Sequence, residues 1–321
     1  MIGTREPFTY GKCQACGSLS LFDRPDDMAR FYPEDGYYSL DASAVARFDR
    51  PAGRAAAHAI WSMTTNATAR PSRRILERGP IRQLVGAFDV LRPLRVAGLP
   101  LAGARVLDVG SGAGVSTAML GTLGCDVTGI DPFGPTWERP NARQIRASLD
   151  DIEGTWDIIM FHHSLEHIPD ARAAIARATQ LLSYDGAVII RIPTCDSVAF
   201  RELGAHWIDL DPPRHFFIPS RSGLTKMCSD AGLALLATYD DARDIQFWGS
   251  ELYRRDRPLG TSGSPDALVR EVFTRDERAA YRKRTQKMNA AREGDLIACV
   301  YRRDHASNSA INPPPMGQDA S

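Results

Sequence analysis

Long apolar runs and a secretory leader are both missing from this sequence. No stretch of about 18 consecutive apolar residues occurs, which is the length that a membrane-spanning helix needs, so we expect no span. The opening residues, MIGTREPFTYGK, contain no apolar core of a signal peptide. The six cysteines are mostly scattered through apolar or helical stretches, a usage typical of a reducing compartment. These absences predict a cytoplasmic protein.

An excess of charge of either sign is also missing. Lys plus Arg and Asp plus Glu are both 39, so the formal net charge is zero. Non-specific nucleic-acid binders usually carry a basic excess, because contacts to phosphates supply most of their affinity. We therefore expect no nucleic-acid partner. The 43% of hydrophobic residues in a chain of 321 is ordinary for a globular protein with a sizeable core.

Short apolar strands alternate with helices through the middle of the chain. The predicted strands are ARVLDVG (104–110), DVTGIDP (126–132), QIRAS (144–148), WDIIMF (156–161), GAVIIRIP (186–193), LALLATYDD (233–241) and DLIACVYRR (295–303). Helical periodicity predicts helices over 114–124, 170–182 and 220–232. This alternation predicts an α/β fold: a doubly wound, mostly parallel, seven-stranded sheet with helices on both faces.

The other stretches divide the chain around this core. We expect a Cys-containing leader (1–40), a mostly helical segment (41–100), a core domain (101–303) with an insertion at about 242–294, and a disordered tail (304–321). The insertion carries a charged helix, for which a solvated face is the main expectation. A contact in a homodimer is left open.

A glycine-rich turn follows the first core strand, in VLDVGSGAG (106–114). Gly110, Gly112 and Gly114 let the backbone turn tightly and approach a ligand at the start of the next helix. Asp108 sits at the end of the strand, where a buried carboxylate needs a donor such as a ligand ammonium group. Asp131 ends the next strand and is placed to accept hydrogen bonds from a ribose diol. A dinucleotide site is disfavoured, because its G-x-G-x-x-G pattern would need the third glycine one position later.

Taken together, VLDVGSGAG, VTGIDP and WDIIMFHHSLEHIPD resemble the motifs of class I S-adenosylmethionine-dependent methyltransferases. The resemblance covers roughly residues 100–241 and 295–303 and implies a Rossmann-like fold with S-adenosylmethionine as the cofactor. It further implies that the methionine end contacts Asp108, Gly110, Ser111, Gly112 and Gly114, the ribose Asp131, and the adenine amine Asp150, with His162 beside the cofactor.

The segment His163-Ser-Leu-Glu-His167 has the H-x-x-E-H spacing of a zinc peptidase. A peptidase needs this motif inside a helix, whereas here it follows a buried strand directly and Pro169 comes two residues after it. We therefore place it at the ligand-binding edge of the sheet, where His163 is a candidate general base. A role for His167 in orienting the loop, and a divalent ion at His163, Glu166 and His167, are left open.

A second segment, HWIDLDPPRHFFIPS (206–220), resembles the PPRH segment of methyltransferases associated with polysaccharide and glycan biosynthesis. The resemblance implies that His215 acts as a base, that Arg214 faces the acceptor and that Trp207 stacks on a sugar ring. We therefore expect O-methylation of a sugar or glycan hydroxyl. Three alternatives remain: a buried, structural His215; O-methylation of a small aromatic or quinone-like metabolite; and a cofactor-binding interaction module without turnover.

Cys13 and Cys16 form a single C-x-x-C pair in the leader. The segment resembles the second half of a small zinc ribbon, whose first pair would lie before Met1. Two thiolates cannot complete a tetrahedral zinc site, which needs four ligands. We therefore do not predict a bound metal, but Cys13 and Cys16 remain the candidate ligands.

Overall fold

A central sheet of eight strands forms the framework of the protein in a computed structural model, which describes residues 6–32, 42–64, 87–257, 259 and 265–305. In chain order the described strands are β1 (Tyr10–Lys12), β2 (Leu19–Leu21), β3 (Arg105–Val109), β4 (Asp126–Ile130), β5 (Trp137–Arg139), β6 (Ala142–Ile145), β7 (Trp156–His162), β8 (Leu182–Pro193), β9 (Phe217–Ile218), β10 (Leu233–Asp240) and β11 (Leu296–Arg303). Most of the predicted tail and part of the predicted helical segment lie outside the described residues.

The strand order across the central sheet is β10-β11-β8-β7-β3-β4-β6-β5. Neighbours from β8 to β6 pair in parallel, whereas β11 runs against both of its neighbours and β5 runs against β6. The predicted mostly parallel α/β sheet is confirmed. The eighth strand, β5, was not predicted, because the proline-rich stretch between β4 and β6 returns as a short antiparallel hairpin instead of forming a helix.

Helices cover both faces of this sheet. The described α-helices are α1 (Pro51–Met63), α2 (Ala87–Ala97), α3 (Val115–Thr122), α4 (Ala171–Leu181), α5 (Val198–Leu203), α6 (Arg221–Asp230), α7 (Ile245–Arg254), α8 (Pro265–Val272) and α9 (Arg275–Ala291). Alternate residues of β3 point to opposite cores, because Val106 packs with α1, α2 and α3 whereas Leu107 packs with α4 and α6. Among the described residues, no helix combines the length and the apolarity that crossing a membrane requires.

Side-chain caps fix where several helices begin. The Ser220 hydroxyl accepts a hydrogen bond from the Gly223 amide at 2.9 Å, as the sequence predicted for the start of α6. Asp170 caps α4, and Thr274 forms a capping box at the start of α9. The predicted charged helix of the insertion is α9, and it follows α7 and α8.

The leader forms a β1–β2 hairpin that pairs with β9 in a separate three-stranded sheet. This pairing brings residues near the start of the chain beside the PPRH segment. The leader therefore lies against the region for which the sequence predicted acceptor contacts.

A buried cation joins three elements near the carboxyl ends of the parallel strands. Arg191 on β8 is 1% exposed, and its Nε atom donates to Asp241 Oδ2 at 2.8 Å. Its Nη2 atom lies 3.5 Å from Asp89 Oδ2 on α2, and Arg243 pairs with the same carboxylate. Because a buried charge is tolerated only with partners, these contacts tie α2 and the segment after β10 to the centre of the sheet.

We predict that Arg191→Met lowers the free energy of unfolding by about 3 to 5 kcal/mol, because it leaves the buried Asp241 carboxylate without its cation. Arg201→Met is the matched control: Arg201 pairs with Glu293 at the exposed surface, so we expect less than about 1 kcal/mol. Urea denaturation of both variants measures the difference. Equal stability of the two variants would mean that the Arg191 network does not hold the fold.

Candidate active site

The carboxyl ends of the parallel strands meet at one edge of the central sheet, where open α/β folds bind ligands. β3 ends there at Val109 and leads through the glycine-rich turn into α3. β7 ends at the same edge with His162, and His163 follows it directly. The predicted cofactor residues and the first histidine segment are therefore neighbours in space.

The glycine-rich turn uses conformations that other residues rarely adopt. Gly110, Gly112 and Gly114 have φ angles of 69°, 57° and 82°. A Cβ atom on Gly110 would clash with the side chain of Ser164, and one on Gly114 would lie 2.5 Å from Trp137. The turn is therefore held between two packed side chains and requires glycine at these positions.

Asp108 presents a buried carboxylate beside the turn. It is 2% exposed, and its Oδ2 atom accepts a hydrogen bond from the Thr117 hydroxyl at 3.0 Å. Burial raises the pKa of Asp108 to about 6. A carboxylate in this setting suits a ligand ammonium group, which would supply charge and further donors. On this observation the residues fit the amino-acid end of S-adenosylmethionine.

Asp131 lies at the mouth of the turn, half-buried. Its Oδ2 atom accepts from the Gly112 amide at 3.0 Å and its Oδ1 atom from the Phe133 amide at 2.8 Å. Each oxygen keeps a further lone pair that a ribose diol could use. Asp150 is exposed in a short 3-10 helix after β6, and its contact with an adenine amine stays a prediction.

The β5–β6 hairpin supports the glycine turn from beneath, which the sequence did not predict. Ser111 donates its hydroxyl to Gln144 Oε1 at 2.8 Å, so in this structure it faces the hairpin. Gln144 donates in turn to the Gly112 carbonyl, and Trp137 donates to the Ala113 carbonyl. A buried glutamine in a weak strand carries no sequence signal for such a role.

Both ring nitrogens of His163 lie close to other side chains. Arg191 contacts its Nε2 atom, and Glu166 Oε1 lies 3.5 Å from its Nδ1 atom. Desolvation in the cleft and the Arg191 cation hold the pKa of His163 well below the usual range. Burial and the same cation lower the pKa of His162 to about 3. Because a guanidinium only donates, Nε2 of His163 is occupied, which does not support His163 as a general base.

A second cluster brings together Glu166, His167 and His215. Each side chain offers one atom that could bind a metal ion, and these three atoms lie within 4.8 Å of one another. Among the described residues, this is the group of metal-ligating side chains that lies close enough to hold an ion. Glu166 is fully buried, and neither of its carboxylate oxygens has a hydrogen-bond partner there. Burial raises its pKa to about 8. The structure thus groups His215, which is 6% exposed, with Glu166 and His167, whereas His163 contacts Glu166 from outside this group.

Backbone carbonyls orient both histidines of this cluster. His167 Nδ1 lies 2.9 Å from the Arg214 carbonyl, and His215 Nδ1 lies 2.7 Å from the Asp209 carbonyl. Because a carbonyl only accepts, each Nδ1 carries the proton and each Nε2 keeps its lone pair. Burial lowers the pKa of His167 to about 3 and also lowers that of His215. Both rings are therefore neutral acceptors for a proton or a metal ion.

Two residues predicted to face the acceptor are enclosed instead. Trp207 is fully buried and donates its ring N–H to Asp295 at 2.9 Å. Arg214 is 4% exposed and donates to Asp211 Oδ1 at 2.6 Å. Neither side chain is open to a sugar, because each is packed and satisfied by an internal carboxylate; these placements correct the prediction of acceptor contacts.

Cys13 and Cys16 lie at the turn of the leader hairpin. Cys13 is exposed, and hydrogen bonds from the backbone amides of Cys16 and Ala15 lower the pKa of its thiol. Over the described residues, neither cysteine belongs to a group of three metal-ligating side chains. The pair therefore offers two ligands, and a bound metal there stays a prediction.

The middle of this chain is similar to known proteins. A family model described as "Methyltransferase domain" matches residues 86–238. The ubiquinone biosynthesis O-methyltransferase of Psychrobacter arcticus is 29% identical over 225 residues, covering 60% of this chain and 82% of that protein. The ubiquinone biosynthesis O-methyltransferase of Methylocella silvestris is 31% identical over 198 residues, covering 54% of this chain and 73% of that protein. Among solved structures, an S-adenosylmethionine-dependent methyltransferase from Mesorhizobium loti aligns with a TM-score of 0.42 and 17% identity, over 66% of this chain and 97% of that one.

We predict that the free energy of unfolding of the ligand-free Asp108→Asn variant, relative to that of wild type, increases as the pH rises. The folded-state pKa of about 6 lies above the ordinary value of 3.8, so ionising the buried carboxylate weakens the folded protein between about pH 4 and pH 7. The stability of Asp108→Asn relative to wild type should therefore rise by about 2 to 3 kcal/mol over this interval.

Urea denaturation at pH 4 and pH 7 measures this change, and comparing the two pH values cancels any pH-independent effect of the amide. The control is Asp185→Asn, at an exposed carboxylate on β8, for which we expect no comparable change. A stability difference for Asp108→Asn that is the same at both pH values would contradict the burial argument.

Proposed function

The chain belongs to the class I S-adenosylmethionine-dependent methyltransferases, and from this premise we propose that it methylates a hydroxyl group on a small aromatic acceptor. S-Adenosylmethionine is its cofactor. Both relatives described above are named ubiquinone biosynthesis O-methyltransferase, which supports an oxygen as the acceptor atom and a quinone-like ring as its carrier. The sugar acceptor expected from the PPRH segment has less support, since Trp207 and Arg214 are enclosed.

The glycine turn and two carboxylates would hold the cofactor. In this proposal Asp108 binds the ammonium group, and the turn from Gly110 to Gly114 lets the backbone approach the amino-acid end. Asp131 accepts from the ribose hydroxyls, and Asp150 lies toward the adenine. The bound cofactor supplies an electrophilic methyl group, so the protein has to align the acceptor oxygen with it and remove the hydroxyl proton.

We propose that a histidine of the cluster Glu166, His167 and His215 accepts the proton of the acceptor hydroxyl. Both imidazoles are neutral and each Nε2 keeps its lone pair, so either can accept a proton, but their lowered pKa makes them weak bases. Nε2 of His215 also lies 3.9 Å from Asp211 Oδ2. A phenol, with a pKa near 10 as in tyrosine, is a stronger acid than an aliphatic hydroxyl. The acid–base match therefore favours a phenolic acceptor over a sugar.

His163 has a positioning role in this scheme. Its backbone amide donates to the Arg191 carbonyl at 2.9 Å, and its ring is held by the Arg191 side chain. It sits at the start of the turn that leads to Glu166 and His167. We infer that it fixes this turn at the carboxyl edge. Of the two histidines in the cluster, the half-buried His167 is the more accessible candidate base, because His215 is 6% exposed.

We predict that Asp131→Ala weakens the binding of S-adenosylhomocysteine by about 1 to 3 kcal/mol, because ribose hydrogen bonds are lost. Asp126→Ala changes an exposed carboxylate at the opposite end of the same strand and should leave the affinity unchanged. Isothermal titration calorimetry of both variants tests this placement. Undiminished affinity of Asp131→Ala would remove Asp131 from the cofactor site.

We predict that His167→Gln and His215→Gln each lower kcat for a phenolic acceptor by about 10²- to 10⁴-fold while leaving the affinity for S-adenosylhomocysteine unchanged. The control is His206→Gln, because His206 lies in the same segment but is exposed. Methyl transfer to panels of phenols and of sugars, followed by mass spectrometry, provides the measurement.

Turnover with sugars alone would overturn the aromatic acceptor. Unchanged turnover in both glutamine variants would remove the two histidines from catalysis. Tight cofactor binding without methylation of either panel would favour the interaction module.

A further inference from the structure

The leader places an aromatic side chain between the cofactor side and the histidine side of the site. Tyr32 follows the short 3-10 helix Ala29–Phe31 and is the last leader residue that the structure describes. It lies 74 positions before the glycine-rich motif that begins at Val106. Its neighbours indicate a role in binding the acceptor, which the predicted cofactor residues do not provide.

Several hydrogen bonds fix the leader against the second histidine segment. The Tyr10 hydroxyl lies 2.8 Å from the Leu210 carbonyl and 2.7 Å from the His215 carbonyl. The Ser220 amide donates to the Ser18 hydroxyl at 3.0 Å, and β2 pairs with β9 between these contacts. The leader is therefore bound to the backbone that carries His215, at both ends of the segment.

Tyr32 contacts both sides of the site at once. Its ring stacks on the ring of Phe133, with centroids 5.8 Å apart and planes at 15°. It also meets the His167 ring edge-on at 6.5 Å, with the Tyr32 hydroxyl 3.5 Å from Nδ1. The Arg214 guanidinium lies over the Tyr32 ring, 6.0 Å from its centroid. Phe133 follows the ribose-binding candidate Asp131 by two residues. Tyr32 thus lies between Phe133 and His167.

Phe133 leaves apolar surface open beside this contact. Its side chain is 60% exposed although one face of the ring stacks on Tyr32. Phe133 is exposed and Tyr32 is half-buried, and both lie near His167. This arrangement suits a flat ring that carries a hydroxyl, because aromatic rings stack in offset or edge-on arrangements. Burial of the open apolar surface adds to the affinity.

We propose that Tyr32 and Phe133 form the wall on which the aromatic ring of the acceptor packs, so that the acceptor hydroxyl points toward His167. The leader is then part of the acceptor site, and Tyr32 is a specificity-determining residue. This inference rests on the proposed O-methylation of an aromatic acceptor and adds the surface that selects the ring.

The test measures binding of catechol to the protein saturated with S-adenosylhomocysteine, by calorimetry, in the full chain. We expect Tyr32→Ala and Phe133→Ala each to raise the Kd for catechol about tenfold and to leave the Kd for S-adenosylhomocysteine unchanged. Tyr32→Phe keeps the ring and should retain most of the affinity. Tyr184→Ala is the matched control, since Tyr184 is 71% exposed on β8 and stacks on His305.

Several outcomes overturn the wall. One is failure of the wild-type protein to bind catechol, and another is an unchanged Kd for catechol in Tyr32→Ala. Equal losses of affinity for catechol and for S-adenosylhomocysteine would also contradict the proposal. A methylation assay with catechol separates the wall from the proposed function. Methylation with an unchanged KM in Tyr32→Ala would leave the function standing without the wall. Binding that depends on Tyr32, with no methylation of any phenol, would leave the wall without the function.

Discussion

A buried guanidinium is the constraint on which the carboxyl edge of the sheet depends. Arg191 lies within a parallel strand, where water cannot solvate its charge, so its partners have to come from other parts of the chain. Asp241 comes from the segment after β10, Asp89 comes from α2, and His163 offers a ring nitrogen. Because removal of one partner would strand the others, the network fixes three segments together around the site.

The two halves of the site are built in different ways. On the cofactor side, consecutive elements of the core place Asp108, the glycine turn and Asp131, and a short hairpin supports them with Gln144 and Trp137. On the proposed acceptor side, Glu166, His215 and Tyr32 come from segments that are far apart in the sequence. The first half follows from local geometry, whereas the second exists only when the leader and the segment 206–220 are both in place.

The contrast explains what could be predicted from the sequence. Period-two and period-3.6 patterns report which face of an element is buried, so the strands around Asp108 and the helix capped by Ser220 were predicted correctly. The same patterns do not say which charges meet across the sheet, and the partners of Arg191 were therefore missed. Trp207 was predicted to contact the acceptor because an aromatic residue near the PPRH segment is typical of a ligand-binding surface. It is instead buried against Asp295, and this depends on tertiary packing that the periodicity of the sequence does not encode.

Pairing of the leader with β9 also bears on how the chain is made. Tyr10 and the carbonyl of His215 are 205 residues apart, and at ordinary rates of synthesis the leader emerges from the ribosome roughly 10 to 40 s before its partner. During that interval Leu19, which packs in the finished protein with Trp207 and Ile218, has no core to enter. Closing so long a loop is a slow kind of folding event. The leader can therefore pair with β9 only after the glycine turn and Asp131 have left the ribosome, whereas β11 of the central sheet is made later still.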